Sequence, residues 1–218
     1  MSIHYYSGWF DESLPASYLE SLRNDITDKK SLVLIWGCWS GDELIDFVKN
    51  DWLKPGGIVF DEYHLVDNRK TKEEGRRLIK EASALLLLGG DVVAQSEFFK
   101  EYELAAPIKD TSASVIMSFS AGAINMASKG INGKALGDKI GATVIYDGLG
   151  LDNICYVPYF SLDKYESAKN DLLPLSQEID IYATSPESFI RKKCNDITAF
   201  GDVHLISGSK IEKMRSAI

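Results

Sequence analysis

The run Ala84-Leu85-Leu86-Leu87-Leu88 stops abruptly at Gly89-Gly90-Asp91 and contains no polar residue. Successive side chains of a strand point to opposite faces, so such a run must be covered on both sides. That places it inside a parallel sheet with helices on both faces, not in a sheet with one wet face. The neighbouring chain repeats the pattern. Ile3 to Tyr6, Ser31 to Trp36, Ile58 to Phe60 leading toward His64, and Ser114 to Met117 read as further strands. Between them lie amphipathic segments: a helix opening near Pro15 with Tyr18, Leu19 and Leu22 on its apolar face; a helix with Leu44, Ile45, Phe47 and Val48 behind a Ser40/Glu43 capping box; a helix behind a Thr71/Glu74 capping box; and one carrying Phe98, Phe99 and Leu104 that Pro107 ends. Past about Lys129 the pattern changes. Strands are expected at Thr143 to Tyr146, Ile179 to Ala183, Ile197 to Phe200 and Val203 to Ile206, with one helix near Lys164 to Leu173, which predicts a mixed sheet extension or antiparallel ribbon. With 218 residues, 45% of them hydrophobic, one α/β domain over 1–218 is expected.

Charge narrows the partners. The formal net charge of −8 and a pI near 5.0 argue against nucleic acid and anionic membranes, since Lys and Arg form no basic stripe. The start of the chain lacks a basic, then apolar, leader and no apolar run is long enough to span a bilayer, so a cytoplasmic protein, monomer or homodimer, is expected. Cys38, Cys155 and Cys194 are widely spaced and odd in number, suggesting reduced thiols, no paired-cysteine metal site and no cofactor.

The segment with chemical content is Ser118-Phe119-Ser120-Ala121-Gly122-Ala123, which follows a buried strand and opens a helix. Small residues two positions either side of Ser120 suit a nucleophile elbow, where a bulky side chain at 118 or 122 would crowd the adjoining backbone. The Ala121 amide is then a natural oxyanion donor. Gly90, at the mouth of the preceding strand, is the second, because glycine lets the backbone approach a substrate closely. Both lie at C-terminal strand ends, where open α/β sheets place their sites.

Leu87-Leu88-Gly89-Gly90-Asp91, the helix with Pro107 and Ser118-Phe119-Ser120-Ala121-Gly122-Ala123 together resemble the aspartyl dipeptidase (dipeptidase E) and cyanophycinase family of serine peptidases, and the resemblance extends to Pro186-Glu187 and the terminal hairpin. It implies a three-layer α/β/α sandwich of the class I glutamine amidotransferase-like, flavodoxin-like type, mostly parallel, with a C-terminal β-ribbon. It implies Ser120 as nucleophile, Gly90 and Ala121 as oxyanion hole, and Gly89, Asp91 and Glu187 in the pocket. The substrate would be a small peptide or related amide.

The chain departs from that family at the base. Where the family has histidine after a proline, Val157-Pro158-Tyr159-Phe160 carries Tyr159, a phenol whose pKa near ~10 makes it a weak base. His64, near the end of its strand, is the candidate substitute, whereas His4 and His204 read as structural. The orienting acid could be Asp138, Asp147 or Asp152. Asp91 would oppose an oxyanion unless protonated or turned away. The stretch Leu162 to Leu173 offers Lys164 and Lys169 but no arginine, so specificity for an acidic residue does not carry over. Cys38 reads as an ordinary thiol, and Trp36, Trp39 and Trp52 as packing. Two readings follow: a serine hydrolase with a weakened or rewired base, or a relative that keeps the pocket to bind a small peptide or metabolite.

Overall fold

The computed structural model describes residues 1–8, 13–37, 41–133 and 143–217. Strands β1 (Ser2–Ser7), β2 (Ser31–Ile35), β3 (Glu62–Val66), β4 (Ala84–Leu87) and β5 (Val115–Phe119) form a parallel sheet in the order β1-β5-β4-β2-β3. The all-apolar run behaves as its composition demands. Leu85 and Leu87 enter one core cluster with Leu78, Ile79, Phe98 and Phe99; Leu86 and Leu88 enter the other with Tyr18, Leu19 and Leu22. Helix α1 (Ala16–Asp25) and the short α2 (Glu43–Phe47) cover the second face, while α3 (Lys72–Glu81), α4 (Val92–Glu101), α5 (Ala105–Lys109) and α6 (Ala121–Met126) cover the first.

A second, mixed sheet of six strands comprises β6 (Lys129–Asn132), β7 (Val144–Asp147), β8 (Cys155–Val157), β9 (Ile181–Thr184), β12 (Val203–Ser207) and β13 (Lys210–Lys213), with α7 (Leu162–Leu175) packed on it. Strands β10 (Ser188–Lys193) and β11 (Asp196–Phe200) instead join the first sheet antiparallel, beside β1, raising it to seven strands. The expected extension and the expected ribbon are therefore both present. Tyr156, Tyr182 and Val203 share a core with Ile3, Tyr5 and Ile190, so the two sheets are packed through common side chains.

Several local expectations need correction. Ile58 and Phe60 are buried but pair with no strand; the ladder begins only at Glu62, after the Phe60 amide has donated to the Tyr63 hydroxyl at 3.1 Å. Apolar content there fills the core without making sheet. Pro107 does not end α4, which stops at Tyr102 before Glu103 turns to φ 53°. It lies in the first turn of α5, where its missing N–H has no acceptor to lose. Thr71 caps α3 by accepting the Glu74 amide at 3.2 Å, although the Glu74 carboxylate turns to Lys70 at 2.9 Å instead of closing the box. Ser40 lies outside the described residues, and Asp42 precedes α2 without a side-chain cap. No helix among the described residues is long and apolar enough to cross a membrane.

Strand β1 is anchored by a buried charge cluster. His4 Nε2 lies 2.8 Å from Asp25 Oδ2 at the end of α1, and Arg191, opposite His4 on β10, grips the same carboxylate with Nε and Nη2 at 2.5 Å each. A carboxylate only accepts, so Nε2 carries the imidazole proton. Burial lowers the His4 pKa and outweighs the pull of Asp25. For Asp25, burial alone would raise the pKa, but hydrogen bonds from Arg191 and His4 overcome it and hold the carboxyl well below its ordinary range. Both shifts have one consequence: in acid the unfolded chain takes up protons that the native cluster refuses. Stability should fall as pH drops below about 6.5, the ordinary histidine value, with a slope of up to about 1.4 kcal/mol per pH unit for the first proton. Urea unfolding between pH 7.5 and 4.5 checks this, and His4→Gln, which keeps a donor to Asp25, should flatten the upper part of that decline.

Candidate active site

Ser120 follows β5 directly and has φ 47° and ψ −113°, a conformation sparsely open to a residue with a Cβ. Its amide donates to the Tyr6 carbonyl of β1 at 3.1 Å and its carbonyl accepts the Ile124 amide at 2.9 Å, so the bend is pinned on both sides. Small neighbours are required for the reason the sequence suggested. A Cβ on Gly122 would stand 2.4 Å from the Leu87 carbonyl oxygen, and Ser118 donates its hydroxyl to the His4 carbonyl at 2.8 Å. Trp52 packs on Phe119 with ring centroids 4.7 Å apart, fixing the end of β5 from below. Ser120 itself is half-buried, and its hydroxyl makes no hydrogen bond among the described residues. Ala121 opens α6, where first-turn amides have no intrahelical acceptor.

Strand β4, the neighbour of β5, delivers Gly89 and Gly90 to the same edge. Gly90 has φ 134°, open to glycine and strained for other residues. Two side chains fix this turn. Trp36 donates Nε1–H to the Gly89 carbonyl at 2.8 Å. The buried Gln95 of α4 donates to the Leu88 carbonyl at 3.2 Å and accepts the Gly37 amide at 2.8 Å, bridging the ends of β2 and β4. No sequence motif marks Gln95. Its signal was its spacing, three and four residues before Phe98 and Phe99, which puts a polar group on a buried helix face. Asp91 caps α4 by accepting the Ala94 amide at 2.8 Å, so one oxygen of its carboxylate is turned onto its own helix.

On the other side of Ser120, the end of β1 gathers two more strained residues. Tyr159, with φ 55°, donates its amide to Ser7 Oγ at 2.8 Å and its phenol to the Gly8 carbonyl at 2.7 Å. Glu187, with φ 60°, donates its amide to the Ser7 carbonyl at 2.6 Å. Tyr6, Ser7 and Gly8 thus hold Ser120, Glu187 and Tyr159 around one strand end.

The remaining sequence candidates lie elsewhere. His64 sits on β3, three strands from β5, and its register through Val33 and Leu85 sets it level with Ile116. That is roughly 14 Å across the sheet and roughly 13 Å along it from Ser120, and its ring meets Glu62 at 3.2 Å. It is not placed to deprotonate Ser120. Asp147 ends β7 in an exposed ion pair with Lys129 at 2.6 Å, which lowers its pKa. Asp152 accepts the Tyr5 hydroxyl at 2.6 Å and meets Lys192 at 3.3 Å; burial raises its pKa. Neither bonds to Ser120. Asp138, Cys38 and Trp39 lie outside the described residues. His204 packs its ring 5.3 Å from that of Phe160, the residue after Tyr159, and His4 belongs to the Asp25 cluster. Burial pushes the Cys155 thiol up to about 12, leaving it inert. No group of acids, histidines and cysteines suited to a metal occurs among the described residues.

No known family profile matches the chain, and no curated protein sequence does. Among solved structures it is similar to a peptidase from an acI-B1 actinobacterium, with a TM-score of 0.71 and 19% identity over 100% of this chain and 95% of that one. It is also similar to a candidate peptidase E protein from Listeria monocytogenes EGD-e, with a TM-score of 0.65 and 13% identity over 91% and 96% of the two chains. At these identities the likeness is one of fold. The chain has the flavodoxin-like α/β/α architecture of these peptidases, with the added C-terminal strands.

The contact at Gly122 makes a direct prediction. Gly122→Ala forces α6 away from the Leu87 and Leu88 carbonyls, both of which are backbone and cannot swing aside. The variant should lose about 1–3 kcal/mol in urea unfolding; stability equal to that of the unaltered protein would mean the elbow is not packed this tightly.

Proposed function

We propose that the protein is a cytoplasmic serine hydrolase that acts on a small peptide or related amide, with Ser120 as nucleophile. The observation that carries this reading is the backbone of Ser120. A non-glycine residue held at φ 47° and ψ −113° costs on the order of 1–3 kcal/mol, and such strain concentrates where a side chain must be presented. Two backbone hydrogen bonds sustain it here, together with the close approach of α6 to β4 at Gly122, where a Cβ would stand 2.4 Å from the Leu87 carbonyl oxygen. In the proposed reaction Ser120 Oγ attacks the carbonyl carbon, and the negative charge on the carbonyl oxygen is taken by the Ala121 and Gly90 amides. The C–N bond then breaks, the amine leaving with the proton that the Ser120 hydroxyl gives up, and water cleaves the resulting ester to release the acid and restore the hydroxyl.

Deprotonation is the weak step. Tyr159 occupies the place expected of a base, yet its phenol already donates to the Gly8 carbonyl. A phenol is almost wholly protonated at neutral pH, so acylation by an unactivated amide is slow while activated acyl and phosphonyl groups still react. The same bond favours the second reading, a binder of small peptides or metabolites in which Tyr159 is a wall of the pocket. A monomer or homodimer, without cofactor, serves either reading.

A fluorophosphonate probe separates them. Labelling of the intact protein that vanishes in Ser120→Ala is expected for a hydrolase; no labelling of the folded protein leaves the binder. A second prediction uses the Gly8 carbonyl, which could orient an imidazole by accepting one of its N–H groups. Tyr159→His should then raise hydrolysis of small peptides by on the order of 10²-fold, the scale of a positioned general base. A folded Tyr159→His protein with unchanged turnover would remove position 159 from the mechanism.

A further inference from the structure

We infer that a second cavity, between α4 and α6, binds a small carboxylate with an apolar chain, held by Ser96 and Lys100. The cavity is half-open, has a volume of about 260 Å³ and is closed off by the start of α5 and the segment 147–149. Neither Ser120 nor the residues gathered around the end of β1 line it. Its floor is apolar: Phe99 is 2% exposed, and Leu149 packs against the same core cluster. Asn125 is the wall that α6 supplies, and both ends of its amide are spent, Oδ1 accepting the Tyr146 hydroxyl at 2.6 Å and Nδ2 donating to the Val92 carbonyl at 2.9 Å.

Two polar groups remain for a ligand. Ser96 is only 9% exposed, and its hydroxyl makes no hydrogen bond among the described residues. A helical serine can turn its hydroxyl back to the carbonyl four residues earlier. Here that carbonyl belongs to Val92 and already takes the Asn125 amide, so the hydroxyl is left to the cavity. Lys100 follows four residues later, on the same face of α4. Its ammonium lies 5.9 Å from the centre of the Tyr146 ring and forms no ion pair among the described residues. The two acids on the rim each have a cation of their own: Asp147 meets Lys129 at 2.6 Å, and Glu103 meets Arg76 at 2.5 Å. A hydroxyl and an ammonium both donate, so the group between them accepts, and a negative charge matches Lys100. A carboxylate brings one oxygen for each donor and lays its chain over Phe99 and Leu149. The volume falls below the roughly 300–1,000 Å³ of sites for drug-sized molecules, which keeps that chain to a few carbons. A second carboxylate would meet Asp147 and Glu103 and is disfavoured. A simple acid and an α-amino acid share the chemistry recognised, and the test separates them.

That test is calorimetric titration of the intact protein with 4-methylpentanoate, leucine, 4-methylpentanamide and glutarate. The monocarboxylate should bind about tenfold more tightly than its uncharged amide, the combined scale of one hydrogen bond and one exposed ion pair, and glutarate should bind more weakly. Tighter binding of leucine than of 4-methylpentanoate assigns an amino acid, the reverse assigns a simple acid, and equal binding means that the carboxylate and chain alone are read. Lys100→Met keeps the stem and Ser96→Ala removes only the hydroxyl. Each should weaken the better acid by about three- to fivefold and leave the urea midpoint close to that of the unaltered protein, since neither side chain makes a hydrogen bond within it. Binding of neither acid, equal binding of acid and amide, or a preference for glutarate overturns the inference. So does affinity that survives both substitutions, which would put the acid elsewhere, the Ser120 elbow included. No part of the test requires Ser120 to be a nucleophile, so failure of fluorophosphonate labelling removes the hydrolase reading and not this one.

Discussion

The end of β1 is the constraint on which the site depends. Three consecutive residues, Tyr6, Ser7 and Gly8, offer three carbonyls and one hydroxyl, and all four accept hydrogen bonds from residues in left-handed conformations: Ser120, Glu187 and Tyr159. Each of these bends is unfavourable alone by on the order of 1–3 kcal/mol. They persist because a strand buried on both faces and paired on both edges cannot retreat from them. The anchorage of β1 beneath, through His4, Asp25 and Arg191, ties α1 and β10 to the same strand and so keeps its far end in register with β5.

The β4 side of Ser120 is built by a different device. There the backbone of β4 and the start of α6 approach so closely that only glycine fits at 122, and Gln95 satisfies the Leu88 carbonyl before the Gly89-Gly90 turn and the Gly37 amide at the end of β2. A buried amide side chain with its donor and acceptor both used stiffens a turn more than apolar packing would, because losing either partner leaves a desolvated polar group. Asp91 contributes in the same direction by spending a carboxylate oxygen on the Ala94 amide.

What the sequence made legible was local. The elbow shows in six consecutive residues because crowding forbids bulky side chains at fixed offsets, and the parallel sheet shows in Ala84 to Leu88 because burial on two faces forbids polar residues. β10 was not legible: Ser188–Lys193 has two adjacent apolar residues and then three cations, and only its neighbour β1 makes it a strand. Ile58 and Phe60 misled for the converse reason, being core without ladder. His64 misled because position along a strand can be read from sequence, whereas the order of strands across a sheet cannot. The hold of Gly8 on Tyr159 joins residues 151 positions apart, beyond any local signal.

Tyr159 is where fold and chemistry part. Its backbone is held as firmly as that of Ser120, and its phenol bond to Gly8 is worth only about 1 kcal/mol net, so the turn is kept by Ser7 and not by the side chain at its tip. A side chain that the backbone does not need can change without cost to the architecture. Serine proteases stripped of triad members still retain roughly 10³–10⁴-fold catalysis from the oxyanion hole and binding alone. On the proposed reading, an elbow with its amides in place and a phenol where a base would stand keeps the electrostatic share of an acyl-transfer catalyst. On that reading it lacks the share that needs a proton acceptor, and the nature of the acyl group presented to Ser120 would decide between binding and turnover.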